Sequence, residues 1–203
     1  MKMNSQVLLV MGSHRTNGNT AYFIRSLSEQ LSQKGVTHDV IDVNQLKISH
    51  CIDCCFCKDN FAKCVFEDDM DLIYASLRTA KVVVFATPVY FNGVTSKLKT
   101  MIDRCQMIFL CDFGHQKPFV TSVDQASKKG YIVSFGGANA YENQFMGNEL
   151  TLNLVFRNLR MPLTKHYKYS NTDRYHASTL AEVQEDIWRL AMAIEEEVND
   201  VER

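Results

Sequence analysis

The stretch Lys81–Ala86 most constrains the fold. Val82, Val83, Val84 and Phe85 are consecutive apolar residues, so no alternation leaves one face for water. A strand of this kind is covered on both sides, as in a parallel sheet flanked by helices. Pro88 closes it. Gln6–Met11 reads the same way, and Thr37–Val43 and Gly130–Phe135 supply further strands. Leu163–Tyr169 alternates in part and belongs at an edge. Between them run helical periodicities. Asn19–Lys34 carries Ala21, Ile24, Leu27 and Leu31 and stops at Gly35. Asp68–Arg78, Thr95–Met107, Asn143–Asn158 and Leu180–Val201 complete the set, with acidic Glu67, Asp68 and Asp69 at one helix start. Asn44–Ala62 reads as loop with a short helical turn, and Cys111–Lys129 as a surface connection. The order βαβαβαβαβα predicts an α/β, three-layer domain spanning residues 1–203. Its five parallel strands fit the order 2-1-3-4-5, with ligands at the carboxyl ends of strands one and three.

Two loops at those ends are chemically distinctive. Gly12–Thr20 reads GSHRTNGNT and leads from the first strand into the first helix. Unsatisfied amides at such a turn receive an anion, most naturally a phosphate. Ser13 and Thr20 add hydroxyls, Asn17 and Asn19 amides, and Arg15 a charged fork, while Gly12 and Gly18 allow close approach. An ordinary capped βα turn is the alternative. Neither Gly-x-Gly-x-x-Gly nor Gly-Lys-Ser/Thr is present, so the dinucleotide and ATPase loops are absent and a compact phosphomonoester fits better. After the third strand comes ATPVYFNGVTSKLKTMIDR. There Pro88 and Gly93 frame Tyr90, Phe91 and Asn92, a set suited to the faces and polar edge of a flat heterocycle. Aromatics packed on the neighbouring helices would look alike.

Together, these two segments resemble the flavodoxin-like, NAD(P)H-dependent FMN reductase family. The resemblance implies noncovalent FMN, with NADH or NADPH as co-substrate. It places Ser13, Arg15, Asn17, Gly18, Asn19 and Thr20 at the phosphate. Pro88, Val89, Tyr90, Phe91, Asn92 and Gly93 would lie at the ring, with Ser134, Gly136, Gly137 and Asn139 bordering it and Tyr141 a further candidate. The implied reaction reduces a small-molecule acceptor, a quinone, flavin, nitroaromatic or azo compound. Because the flavin carries the chemistry, no catalytic acid or base is assigned. The resemblance also implies a homodimer or higher homo-oligomer, with Asp103 and Arg104 pairing across it. Met101, Met107, Ile108, Phe109 and Leu110 are the apolar surface expected at that contact. Lys97, Lys99 and Arg104 otherwise read as solvated helix residues.

Seven cysteines are present, five of them Cys51, Cys54, Cys55, Cys57 and Cys64. The spacing Cys51-x2-Cys54-x2-Cys57-x6-Cys64 suits a four-iron cluster, and it resembles the iron–sulfur flavoprotein branch of the same family. Free thiols are favoured over a cluster or a zinc site, because Asp53, Lys58, Asp59, Asn60 and Lys63 interrupt the run and Cys55 adds a competing thiol. Cys105 and Cys111 read as structural. Alternative functions are therefore an iron–sulfur electron carrier and a non-enzymatic flavin-binding redox sensor. A net charge of −1 supplies no basic field for nucleic acid. No run reaches transmembrane length and no apolar signal segment opens the chain, so the expectation is a cytoplasmic protein without a membrane partner.

Overall fold

The structure is a computed structural model that describes residues 5–120 and 128–199. Five parallel strands form one sheet in the order β2-β1-β3-β4-β5. They are β1 (Val7–Met11), β2 (His38–Asp42), β3 (Val82–Pro88), β4 (Lys129–Phe135) and β5 (Leu163–Tyr169). The helices are α1 (Asn19–Gln33), α2 (Phe56–Asp59), α3 (Met70–Thr79), α4 (Ser96–Arg104), α5 (Gln106–Phe113), α6 (Met146–Asn158) and α7 (Ala181–Asn199). This is the flavodoxin-like three-layer fold expected from the sequence.

Each face of the sheet has its own core. Phe23, Leu27 and Leu31 of α1 and Ile187, Leu190 and Ile194 of α7 cover one face. Ile73 and Leu77 of α3, Leu98 and Met101 of α4, and Leu152 and Phe156 of α6 cover the other. The side chains of Val82 and Val84 join the first core while those of Val83 and Phe85 join the second. Burial on both faces is the reason the central strands are apolar throughout. The β5 strand pairs only with β4, which accounts for its half-alternating pattern.

Several boundaries differ from expectation. The helix expected over Thr95–Met107 breaks at Cys105, where the amide bonds Ile102 O at 2.9 Å, and α5 continues to Phe113. Residues 111–113 are thus helical rather than connection, and part of the expected connection, 121–127, lies outside the described residues. Periodicity could not show α5 because its apolar residues surround it; Met107, Ile108 and Cys111 are buried. The apolar residues expected at a subunit contact, Met101, Met107 and Ile108, therefore fill the chain's own core. Helix α6 begins at Met146, not Asn143, whose φ of 62° breaks the helical path. Arg104 is not solvated. Its side chain is 1% exposed and paired with Asp68, while Asp103 takes Lys99 Nζ at 2.7 Å one turn away on α4. Asp68 correspondingly serves Arg104 and the amides of Ser49 and Met70 rather than the helix dipole alone.

The loop after β3 rests on the start of α6. A Cβ placed on Gly147 would collide with the Asn92 carbonyl oxygen. Gly147→Ala is expected to cost about 1–3 kcal/mol through overpacking, read as a lower midpoint in thermal unfolding. An unchanged midpoint would mean that the loop yields freely.

Candidate active site

A cleft of about 920 Å3 opens at the carboxyl ends of β1, β3 and β4. Its first wall is Ser13, His14, Arg15, Thr16, Asn17, Gly18 and Asn19. The loop is held from outside by its carbonyl groups. Thr95 Oγ1 donates to Gly12 O at 2.6 Å, Asn44 Nδ2 to Ser13 O at 2.6 Å, and Arg25 Nη1 to Thr16 O at 2.6 Å. In a trans peptide the following N–H points opposite its carbonyl. The amides of Ser13, His14 and Asn17 are therefore turned away from those partners, and all three residues line the cleft. Inside the loop, Arg15 N donates to Ser13 Oγ at 3.1 Å and Gly18 N to Arg15 O at 3.3 Å. Gly18 caps α1 with no side chain bonded to the first-turn amides. A 15-residue helix thus presents bare donors and the positive end of its dipole to the cleft.

The second wall is Pro88, Val89 and Tyr90. Val89 N donates to Phe135 O at 2.8 Å, which ties this loop to the end of β4. Tyr90 and Gly93 exchange both backbone hydrogen bonds, at 2.8 and 2.9 Å. Phe91 and Asn92 between them have φ of 48° and 58°, as a two-residue primed turn requires. Asn92 accepts this strain readily and its Oδ1 takes the Tyr141 hydroxyl. Phe91 is fully exposed at the tip. Phe91, Asn92 and Gly93 do not line the cleft within one chain.

The third wall is Phe135, Gly137 and Ala138, and the fourth is Thr172, Asp173, Arg174 and His176 after β5. A Cβ on Gly137 would collide with the Asp173 carboxylate, so that glycine makes room for it. Asn19 holds this fourth loop. Its Nδ2 donates to Thr172 O at 3.1 Å and its Oδ1 accepts from Ala177 N at 2.7 Å. The Asn19 side-chain amide is thus occupied by protein on both its oxygen and its nitrogen. Thr20 is buried at the start of α1, and Gly136 is buried against Gln144. Ser134 is fully buried, its Oγ bonded to Asn148 Nδ2 at 3.0 Å and His166 Nε2 at 2.9 Å. His166 in turn meets Glu149 Oε2 at 2.9 Å. Burial holds the His166 imidazole below its ordinary range despite that carboxylate, and with Nδ1 facing Glu149 the Ser134 hydroxyl donates its hydrogen bond to Nε2. This chain resembles a hydrolytic triad in composition only, because its hydroxyl reaches no solvent.

The cysteine segment forms a separate site. Cys51, Cys54, Cys55, Cys57 and Cys64 line a small cavity with Phe66, Arg104, Met107 and Leu110. Asp53, Cys55 and Ala62 all have positive φ, so the chain winds tightly here. Burial raises the Cys57 thiol above its ordinary range, and the neighbouring Cys64, Cys51 and Cys54 add to the rise. The charged residues of the segment, Asp53, Lys58, Asp59 and Lys63, are exposed, while Phe66, Met107 and Leu110 give the cavity an apolar lining. Among the described residues, no three His, Cys, Asp or Glu side chains converge as ligands of a single metal ion would. Cys105 and Cys111 are buried, and burial pushes the Cys105 thiol up to about 12.

The fold, with its cleft at the carboxyl ends of β1, β3 and β4, is of the flavodoxin-like class. The family model for NADPH-dependent FMN reductase matches residues 5–170, and the chain belongs to that family. An iron–sulfur flavoprotein of Archaeoglobus fulgidus is 33% identical over 72% of this chain and 67% of its own length. One from Methanocaldococcus jannaschii is 35% identical over 51% of this chain and 52% of its own. The chain thus matches about half the length of that relative. Among solved structures, an NAD(P)H:quinone oxidoreductase from Methanothermobacter marburgensis superposes with a TM-score of 0.67 at 13% identity, over 93% of this chain and 98% of that one. At that identity the likeness concerns the fold.

The Arg104–Asp68 pair sets a pH dependence. Burial works to raise the Asp68 carboxyl, but the Arg104 guanidinium and the Ser49 and Met70 amides outweigh it and hold it below its ordinary 3.8. A carboxyl depressed in the folded state stabilises above its unfolded pKa, and that stability is lost as pH falls through the folded value. Asp68→Asn is expected to cost about 3 kcal/mol near neutral pH, since it strands a buried cation. The gap from wild type should close below pH 3.8 in urea titrations. A gap independent of pH would contradict the assignment.

Proposed function

We propose that the protein is an FMN-dependent oxidoreductase. In this reading it takes hydride from NADH or NADPH and reduces a small-molecule acceptor, a quinone, flavin, nitroaromatic or azo compound. The observation that carries the reading is the loop Gly12–Gly18. Its carbonyl groups at Gly12, Ser13 and Thr16 are taken by Thr95, Asn44 and Arg25, which leaves the amides of Ser13, His14 and Asn17 and the uncapped start of α1 for one phosphate. When bound, FMN supplies the two-electron chemistry. Ser13, Arg15, Asn17 and the backbone of Asn19 and Thr20 would hold the phosphate, with Gly18 closing the turn onto Arg15 O. Pro88, Val89 and Tyr90 would flank the ring, with Gly137 allowing close approach on the far side. Arg15 and Arg174 against the single carboxylate of Asp173 leave the cleft favourable to anions. Quinones and azo compounds are acceptor classes in the names of fold neighbours. Seven free thiols suit a reducing, cytoplasmic setting, and residues 1–203 are read as a single domain.

The chain's exposed apolar residues support a homodimer. Phe113, Leu150 and Leu154 are exposed, and Leu150 and Leu154 line a groove of about 530 Å3 with Ile102 and Phe109. Phe91, displayed on its strained turn, is available to a partner copy's site. No helix among the described residues is long and apolar enough to cross a membrane.

A second reading has its own observation. Cys51, Cys54 and Cys64 gather round Cys57, and the relatives above are named iron–sulfur flavoproteins. A cubane spreads four thiolates wider than a single ion does, so an iron–sulfur cluster is compatible with this gathering. Anaerobic purification separates the two readings: near four irons per chain favours the carrier, and iron-free yellow protein with NAD(P)H oxidation favours the reductase.

Denaturing the holoprotein should release FMN, one per chain, and not FAD. Arg15→Ala is expected to weaken FMN about tenfold, as loss of a charge-assisted hydrogen bond does, and riboflavin hardly at all. Equal loss of both in fluorescence titrations would move the phosphate elsewhere. Sedimentation should give at least twice the 23.2 kDa chain mass; a monomer at micromolar concentration would exclude the dimer.

A further inference from the structure

The loop Thr172–Ala177 leaves one side chain and returns to it. Asn19 Nδ2 donates to Thr172 O at 3.1 Å, and Asn19 Oδ1 accepts from Ala177 N at 2.7 Å. Asn19 is the first residue of α1, so both ends of the loop are fastened at the start of that helix. His176 adds a third tie, its ring meeting Tyr22 of α1 edge-on with centroids 5.7 Å apart. On the other side, Thr172 N donates to Gly136 O at 3.0 Å and Asp173 N to Gly137 O at 3.2 Å, continuing the pairing of β4 with β5. The loop is thus a strap from the end of β4 to the start of α1. Arg174 stands two residues from Thr172, so its Cα lies at most about 8 Å from the Thr172 Cα at that clasp. Arg174 lines the same cleft as Arg15. Among the described residues, neither guanidinium has a carboxylate partner. With the histidines neutral, Arg15 and the start of α1 supply about +1.5 charges, and Asp173 removes one. A phosphomonoester near neutrality carries close to two negative charges, its second pKa being about 6. Arg174 returns the cleft to about +1.5, near the balance that such a dianion needs.

We propose that Arg174 is the second cation of the phosphate site and fits it to a dianionic phosphomonoester, and that Asn19 is a positioning residue that holds the strap in reach. The proposal rests on the FMN reading above. Asn19 then serves the phosphate through the loop it clasps, since both polar atoms of its side chain are spent on that loop. A phosphodiester, as in FAD, carries one charge per phosphate and gains half as much Coulomb energy from the added cation.

The test uses the full chain freed of flavin, at about pH 8.5, where FMN is a dianion and an ordinary imidazole is neutral. Three probes are titrated by flavin fluorescence: FMN, riboflavin, and the 5′-sulfate of riboflavin, a monoanion. Arg174→Gln removes the charge and keeps the length. It should weaken FMN about tenfold, as loss of a charge-assisted hydrogen bond does. The sulfate should weaken about threefold, since the Coulomb energy scales with ligand charge, and riboflavin hardly at all. Asn19→Ala should cost a similar factor in FMN on its own and little more on top of Arg174→Gln, because the two act through one contact. Arg174 is exposed, so its variant decides even where circular dichroism shows Asn19→Ala unfolded. Wild type that holds FMN no tighter than riboflavin overturns the FMN reading and this proposal with it. A preference for FMN that is lost in Arg15→Ala and intact in Arg174→Gln keeps the reading and overturns the proposal. Equal losses of FMN and riboflavin in Arg174→Gln also overturn it, and equal losses of FMN and the sulfate overturn the fit to a dianion. Fully additive losses in the double variant overturn the positioning role of Asn19.

Discussion

The carboxyl end of the sheet depends on one buried hydrogen bond, from Thr95 Oγ1 to the Gly12 carbonyl at 2.6 Å. Thr95 is fully buried and also caps α4 by accepting from Leu98 N. Gly12 donates its own amide to Ala86 O at 2.8 Å. One residue of the anion loop is thereby bonded to β3 and to the start of α4 at once. A Cβ on Gly12 would stand 2.7 Å from Leu98 Cδ2 and 3.2 Å from the Ala86 carbonyl oxygen, so a side chain there would displace the buried Leu98. The loop thus takes its place from the two elements packed against it. Its remaining freedom is removed by Asn44 and Arg25, and the cleft is shaped before any ligand enters, which lowers the ordering cost of binding.

Such shaping is possible because the sheet beneath has little freedom. The side chains of β1 and β3 divide between two cores, and both strands are buried along their length. A one-residue slip of either would exchange the two apolar faces without exposing them, so the pattern alone does not fix register. The ends do. Gly12 N to Ala86 O and Val89 N to Phe135 O continue the ladder past the strands and lock neighbouring loops at matching heights. Loops at those ends line the cleft, and the strands beneath supply rigid anchors for them.

The strands and the order of the sheet were legible in the sequence, since consecutive Val and Phe residues admit few other burials. That the turn after the first strand faces a cleft was legible, because Ser13–Asn19 are contiguous at the carboxyl end of β1. What escaped is non-local. Thr172, Asp173, Arg174 and His176 reach the cleft only because β5 lies beside β4, and their segment has no periodicity or motif. The signal available was topological, as it is the loop at the carboxyl end of a strand next to the site. Arg104 misled for a related reason. A charged residue on an amphipathic helix is ordinarily solvated, and only a carboxylate 36 residues away turns it into a core residue. Ser134 was assigned by its place in a loop-proximal run, yet strand alternation points it at Asn148 and His166.

Helix α4 joins the two sites. Thr95 at its start holds the anion loop, and Arg104 at its end holds the cysteine segment on both sides, at Ser49 before it and Asp68 after it. Nine residues at 1.5 Å each separate these anchors by about 14 Å. The Arg104 carbonyl is itself fixed by the Tyr74 hydroxyl at 2.7 Å, and Leu98 and Met101 between the anchors are fully buried. A helix clamped at both ends and packed along its length has one arrangement, and transmission of a conformational signal needs two. Its contribution is a constant spacing. The cleft and the thiol cavity keep a fixed separation and orientation, with the positive end of the helix toward the anion loop and the Arg104 cation at the negative end. Any chemical communication between the sites therefore has to be carried by charge or electrons across a rigid gap, not by movement of the chain.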